Sequence, residues 1–281
     1  MTTTQAHIMP PTIGVFDSGF GGLTVLRSLI ERLPRARFAF LGDTARLPYG
    51  SKSRRTIARY AAQSARFLVH EQGADFLVIA CNTASALALD AIKEAVPVPV
   101  LGVIEPGAAA ARAASRTGDV LVMATEATVH SQAYTAACSA HGLRALEKAC
   151  PLLVPLVEEG WIDHPVTEEV IDIYLNELRS QAAGAGMNPD TLVLGCTHYP
   201  LLRPFIERSV RPGVNVIDSA EATAQAAVAL LNGRANEGGS AAFTKTEIHC
   251  FATDSVDKFE RLGSRFLGRP VGPVQLIDLG G

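Results

Sequence analysis

Two cysteines stand at matching places in the chain. The segments Asp75-Phe-Leu-Val-Ile-Ala-Cys81 and Asp190-Thr-Leu-Val-Leu-Gly-Cys196 align at a constant offset of 115 residues, with Asp and Cys in register at either end. Any two buried strands share Leu and Val, so this short match alone does not establish a duplication. The endings add to it: each apolar run stops at its cysteine and opens into polar residues, Asn82-Thr83 in one case and Thr197-His198 in the other. Two related lobes, each presenting a strand-end thiol, are the expectation. A thiol between a parallel strand and the helix after it lies where ligands bind in such folds. The helix N-terminus there lowers a thiol below its usual pKa of ~8.5, so each sulfur could act as a thiolate. Cys138, Cys150 and Cys250 read as small buried hydrophobes.

The neighbours of the two thiols offer more chemistry. Asn82, Thr83 and Ser85 could simply cap a helix, yet Asn and Thr also present an amide and a hydroxyl to a polar ligand, and helix-start N–H groups suit a carboxylate. His198, two residues after Cys196, can share a proton with it or help generate the thiolate. Upstream, Gly14-Val-Phe-Asp-Ser-Gly-Phe-Gly-Gly-Leu23 places Asp17 and Ser18 at the end of an apolar run. That loop lacks the Gly-Lys-Ser/Thr of a P-loop and the spacing of a dinucleotide fingerprint, so Asp17 and Ser18 are read as site residues rather than parts of a nucleotide cradle. In Gly42-Asp-Thr-Ala-Arg-Leu-Pro-Tyr-Gly50, Tyr49 and the Gly50 backbone are placed to close over a ligand.

Elements that hold these residues follow from the apolar pattern. Short buried runs at residues 12–16, 37–41, 76–80, 100–103 and 120–124 alternate with helical patterns at 23–33, 84–95, 106–116 and 127–141. A further long helix carries the 3/4-spaced stripe Ile57, Tyr60, Ala61, Ser64, Phe67 and Leu68. The alternation predicts an α/β fold of two similar lobes, each a mainly parallel sheet flanked by helices, with the site in the cleft between them. Residues 1–98 plus 213–281 are expected to form the first lobe and residues 99–212 the second, with a flexible loop at 233–240. The length of 281 residues agrees with two units at roughly 150 residues per domain.

Composition excludes several classes. With 48% hydrophobic and 19% charged residues the chain can build a large core, and a net charge of −3 gives no broad field for nucleic acid or an anionic membrane. Five scattered cysteines argue against a secreted disulfide framework. The first eleven residues read as a loose tail without secretory-signal character, and no apolar run reaches the ~18 residues of a membrane span, so a cytoplasmic protein is expected.

Taken together, Gly14–Thr24, Gly42–Gly50, Ala80-Cys-Asn-Thr-Ala-Ser85 and Gly195-Cys-Thr-His-Tyr-Pro200 closely resemble the glutamate racemase family of bacteria. The resemblance runs in order from Thr12 to about Leu231 and includes Ala124-Thr-Glu-Ala-Thr128 and Cys150-Pro-Leu-Leu-Val-Pro-Leu-Val-Glu158. It implies a homodimer that acts on L- and D-glutamate without cofactor or metal and supplies D-glutamate for peptidoglycan. By motif position it implies acid/base thiols at Cys81, facing D-glutamate, and Cys196, facing L-glutamate, assisted by Asp17 and His198 respectively. Substrate contacts are implied at Asp17, Ser18, Tyr49, Gly50, Asn82, Thr83, Thr125, Thr128, Thr197 and His198, with Glu158 as a supporting acid near the second thiol. The tail after Asn232 carries no motif that maps onto the family.

Racemisation must remove the α-hydrogen from one face and return a proton to the other, and two opposed thiols answer that geometry. A pyridoxal-dependent racemase would need a Schiff-base lysine, but Lys52, Lys93, Lys148, Lys245 and Lys258 sit in no recognisable cofactor motif. Aspartate-type relatives commonly carry an acid after the second Cys-Thr, where this chain has His198. A metal or redox module would need Cys-x-x-Cys or compact Cys/His spacing, which the chain lacks. A two-lobed solute-binding protein would explain a cleft, though not a cysteine at both strand ends.

Overall fold

The buried apolar runs become the strands of two all-parallel sheets. The computed structural model describes residues 11–231 and 246–280. Its strands are β1 (Thr12–Asp17), β2 (Arg37–Gly42), β3 (Phe76–Ile79), β4 (Val100–Gly102), β5 (Asp119–Ala124), β6 (Arg144–Ala149), β7 (Thr191–Gly195), β8 (Asn215–Asp218), β9 (Glu247–Ala252) and β10 (Val274–Leu276). The helices are α1 (Leu23–Arg32), α2 (Arg54–Arg66), α3 (Asn82–Leu87), α4 (Leu89–Ala95), α5 (Ile104–Ala114), α6 (Glu126–Ser131), α7 (Ala133–Ala140), α8 (Leu153–Glu158), α9 (Pro165–Gly184), α10 (Arg203–Ser209), α11 (Ser219–Leu231) and α12 (Val256–Leu267). No helix among the described residues is long and apolar enough to cross a membrane.

The first sheet runs β10-β9-β2-β1-β3-β4 and the second β6-β5-β7-β8. Four neighbours of the first sheet, β2-β1-β3-β4, thus have the same order as all four strands of the second. In both, the cysteine follows the strand immediately beside the first one of its unit: Cys81 follows β3, which pairs with β1, and Cys196 follows β7, which pairs with β5. The aspartates of the sequence match also play similar parts. Asp75 Oδ2 accepts from the Thr12 N–H at the start of β1, and Asp190 Oδ2 accepts from the Arg116 and Thr117 N–H groups just before β5.

Burial explains the strand sequences. β3 and β7 are covered on both faces, so each is a continuous apolar run with no polar alternation. One apolar cluster includes Val15, Leu26, Val122, Leu194 and Ala224 and continues from one sheet to the other, with α11 packed on both α1 and α5. A second cluster, with Phe16, Ile57, Leu77 and Ile79, covers the other face of the first sheet beneath α2 and α4.

Several expectations need correction. Val100–Gly102 pairs with β3, and Asn215–Asp218 pairs with β7. The crossings between sheets therefore fall after β4 and after β8 rather than at 98/99 and 212/213, because backbone pairing and not the Pro97/Pro99 break decides sheet membership. The single helices expected at 84–95 and 127–141 are each two. The first breaks at Ala88 (φ −129°, ψ 0°) and the second at Gln132, which takes a left-handed φ of 55°. At the second break the Ser131 hydroxyl accepts from the Ala133 N–H and so satisfies a donor of the new helix. The tail without a motif supplies β9, α12 and β10 to the first sheet and its cover. The loop expected at 233–240 lies outside the described residues.

Candidate active site

Each sheet reverses its direction of winding next to its central strand, and side chains just beyond the strand ends meet there. Asp17 closes β1 with Gly42 of β2 beside it, and the Ala80 N–H donates to the Phe16 carbonyl (2.8 Å), so Cys81 emerges alongside Asp17 and Ser18. In the second sheet Ala124 pairs with Gly195, which brings Thr125 beside Cys196. This crevice is where the topology of an open parallel sheet places ligands.

Around the first thiol, Cys81 Sγ donates to Ser18 Oγ (3.3 Å) and accepts from the Ala84 N–H (3.4 Å). Asp17 Oδ2 accepts from the Gly19 N–H (3.0 Å), while its Oδ1 is buried without a hydrogen-bond partner among the described residues. Burial pushes the Asp17 carboxyl above its ordinary value, with the charge of His198 opposing. Burial, then the charge of Asp17, push Cys81 up to about 12, against the lowering contacts from Ser18 and Ala84. The expectation that the helix start would lower the Cys81 thiol therefore fails, because desolvation outweighs the contacts at the start of the six-residue α3.

The second thiol has a different partner. His198 Nδ1 lies 3.9 Å from Cys196 Sγ and 3.3 Å from Thr197 Oγ1, and its Nε2 lies 3.3 Å from Glu158 Oε1. Burial pulls the imidazole down, but contact with Cys196 and Glu158 outweighs it and holds His198 up at about 10. Burial raises Glu158, yet His198 and then Lys258 bring it below its usual range. A protonated imidazole therefore stands beside the Cys196 sulfur, braced by a carboxylate. The ring packs edge-on against Phe266 (centroids 5.0 Å, 77°) and near Phe20 (6.2 Å).

Polar groups from both sheets close the space. The Thr83, Thr125 and Thr128 hydroxyls touch one another at 2.9–3.4 Å. Asn82 Oδ1 accepts from Tyr134 OH (2.7 Å), leaving Asn82 Nδ2 a buried donor without a partner among the described residues. Thr24 Oγ1 donates to both the Gly21 and Thr197 carbonyls, which ties the start of α1 to the Cys196 loop. Gly21 makes that approach feasible, since a Cβ there would collide with Thr197 Oγ1 and the His198 ring. Gly50 comes against Thr125 across the gap.

The Tyr49 hydroxyl is held by the scaffold. It donates to Asp43 Oδ2 (2.6 Å), and Asp43 also accepts from Thr253 Oγ1 (2.9 Å) and pairs with Arg46 (3.5 Å), so the phenol is committed to the scaffold. The sequence reading missed Asp43, Tyr134, Thr253, Phe266 and Lys258. Asp43 lies inside a quoted motif, but the others are lone residues far from either cysteine in the chain, with no spacing to mark them.

A family model for Asp/Glu/hydantoin racemases matches residues 13–227. The chain belongs to that family. It is 52% identical to the glutamate racemase of Koribacter versatilis (strain Ellin345), covering 96% of this chain and 98% of that protein. Glutamate racemase isoform RacE1 from Bacillus anthracis superposes with a TM-score of 0.87 at 36% identity, over 96% of this chain and 98% of that one. A crystal structure of the Francisella tularensis enzyme in complex with D-glutamate gives 0.85 at 34% identity, over 96% and 98%. This Asp/Glu/hydantoin racemase family member has the two-sheet α/β architecture of those structures, and its segments around Cys81 and Cys196 both fall within the matched residues.

Proposed function

We propose that the protein is a glutamate racemase that interconverts L- and D-glutamate by proton transfer at the α-carbon, with Cys81 and Cys196 as the acid/base pair. The observation that carries this reading is the pair of buried thiols at equivalent strand ends of two sheets, beside Asn82 Nδ2 and Asp17 Oδ1, which have no partner among the described residues, and a cluster of threonine hydroxyls. The names of its relatives supply glutamate as the substrate.

In the L-to-D direction the Cys196 thiolate, paired with protonated His198, takes the α-hydrogen. The electron pair spreads into the α-carboxylate, whose developing charge is met by hydrogen-bond donors such as Asn82 Nδ2. The neutral Cys81 thiol delivers its proton to the opposite face. The product complex then holds a Cys196 thiol and a Cys81 thiolate, with no net gain or loss of protons. The reverse direction needs the proton off Cys81. Asp17, buried beside it and raised above its ordinary range, keeps its own proton while Cys81 is a thiolate, so the Asp17–Cys81 pair carries at most one negative charge. Thr83, Thr125, Thr128 and Thr197 contribute hydroxyls, Ser18 and the Gly50 backbone complete the polar lining, and Tyr49 shapes the wall through Asp43.

The two sheets act as opposing lobes, residues 11–102 with 246–280 forming one and 103–218 the other, with α11 packed between them. The protein works as a cytoplasmic homodimer whose D-glutamate enters peptidoglycan, and no pyridoxal or metal takes part. A circular-dichroism assay with L- and D-glutamate and L- and D-aspartate, in buffer free of both, tests the reading. Both glutamate enantiomers should lose optical activity, and aspartate should turn over far more slowly. Binding of glutamate without turnover would favour a binding protein, and faster aspartate turnover would move the substrate.

A further inference from the structure

We propose that Lys258 is a positioning residue for the Cys196 half of the reaction, holding Glu158 so that its carboxylate meets His198 and His198 faces the Cys196 sulfur. The inference rests on the racemase reading above.

Four side chains stand in a row. Lys258 Nζ lies 3.3 Å from Glu158 Oε2, Glu158 Oε1 lies 3.3 Å from His198 Nε2, and His198 Nδ1 faces Cys196 Sγ at 3.9 Å. They come from three elements: Lys258 from α12, Glu158 from the last residue of α8, and His198 with Cys196 from the loop after β7. α12 packs on α1 and β10 of the first sheet, whereas α8 packs on α9 and the turn after β7 of the second, so the Lys258–Glu158 pair spans the two lobes. α12 also places Phe266 against the His198 ring, and Lys258 Nζ sits 5.7 Å over the Phe20 ring, which itself neighbours His198. One helix of the tail thus fixes both ends of the imidazole's surroundings. Glu158 Oε2 has no other hydrogen-bond partner among the described residues, so loss of Lys258 frees the carboxylate to turn away from His198.

The charged and titratable groups that face Glu158 are His198 and Lys258 in contact, with Asp17 and Cys196 beyond His198, and Arg265 of α12 lies alongside Gly160, two residues further on. Lys258 is among the groups that lower Glu158, so its removal raises Glu158 and moves the acid limb of kcat/KM to higher pH. Around Cys81 the contacts are to Ser18 and the Ala84 N–H, with no such row of charges, which makes the effect one-sided.

The test compares wild type, Lys258→Met, Lys258→Arg and Glu158→Gln with α-protio and α-deuterio L- and D-glutamate. Because enantiomers have equal free energy, kcat/KM falls equally in both directions. For Lys258→Met the fall is about five-fold, the scale of a partly exposed ion pair. The isotope effect is expected to separate the halves: larger than wild type from L-glutamate, where Cys196 removes the hydrogen, and smaller from D-glutamate. Lys258→Arg should restore the wild-type values, and Lys258→Met should add nothing in the Glu158→Gln background. A wild type that racemises, with the two isotope effects of Lys258→Met unchanged or moved alike, would overturn this inference alone. A wild type without turnover would overturn the racemase reading and this inference with it.

Discussion

Cys81 and Cys196 occupy equivalent strand ends, but their surroundings differ in the way the opposite tasks proposed for them require. Cys81 is pushed up to about 12 by burial and by Asp17, whereas Cys196 lies beside His198, which is held up at about 10. Iodoacetamide followed by peptide mass mapping should therefore label Cys196 first, Cys81 slowly, and Cys138, Cys150 and Cys250 hardly at all. These last three are buried, and burial holds Cys138 at about 11 and the other two at about 12. Rapid labelling of any of the three would contradict the assignment. Cys81→Ser and Cys196→Ser should each lower kcat/KM by roughly 10²–10⁴-fold, the contribution of a positioned proton-transfer group. Tyr134→Phe should act on binding instead. With Asn82 Oδ1 left without its donor the amide loses its fixed orientation, so KM should rise several-fold, roughly the cost of one buried hydrogen bond, with kcat little changed. The site residues legible in the sequence are those within a few positions of a cysteine or in a glycine-rich turn. Tyr134 and Lys258 act on groups brought near only by folding, and sequence spacing carries no trace of that.

At the scale of elements, the apolar strands were readable, the edge strand β4 among them, and the polar edge strand β6 was not. β1, β3, β5 and β7 are fully or nearly fully buried runs. β6, Arg-Ala-Leu-Glu-Lys-Ala, lies at a sheet edge with no fully buried residue, so it lacks the apolar signal that marks a covered strand. Helix breaks escaped for a related reason, because a left-handed Gln132 with Ser131 serving the next helix is a local choice within an unbroken apolar pattern. The glycine-rich turn after β1 is where sequence and packing agree most closely. Gly21→Ala should drive the turn away from Thr197 and His198 and lower kcat/KM by roughly ten-fold or more, since a displacement of the order of 1 Å at a reacting group can cost about 10²-fold. Gly19→Ala is the control: its new Cβ would meet Leu47 at an ordinary 3.6 Å, and activity should stay near wild type. Equal losses in the two variants would show that the contact with Thr197 and His198 is not what matters.

For the whole molecule, two similar parallel sheets were legible from the strand–helix alternation and from a short match that ends each time in cysteine and polar residues, but the places where the chain crosses between them were not, because β4 and β8 are short and declare their sheet only by pairing. Asp190 ties the second sheet together: burial opposes its ionisation, but the Ser115 hydroxyl and the Arg116 and Thr117 N–H groups win and hold it at about 2. A carboxylate lowered on folding stabilises fully above its unfolded value of 3.8 and loses that contribution as pH falls through about 2. Asp190→Asn should therefore lower the unfolding free energy at neutral pH by on the order of 2 kcal/mol and flatten its acid dependence below pH 4, as urea titrations across pH would read. In the proposed mechanism the two sheets present one proton-transfer thiol to each face of the substrate. The most direct test is early turnover of L-glutamate in D₂O, with the α-hydrogen of both enantiomers followed by mass spectrometry after chiral separation. Opposed thiols predict D-glutamate carrying solvent deuterium while the remaining L-glutamate keeps its protium; protium retained in the product, or deuterium entering the unconverted L-glutamate at the same rate, would contradict it.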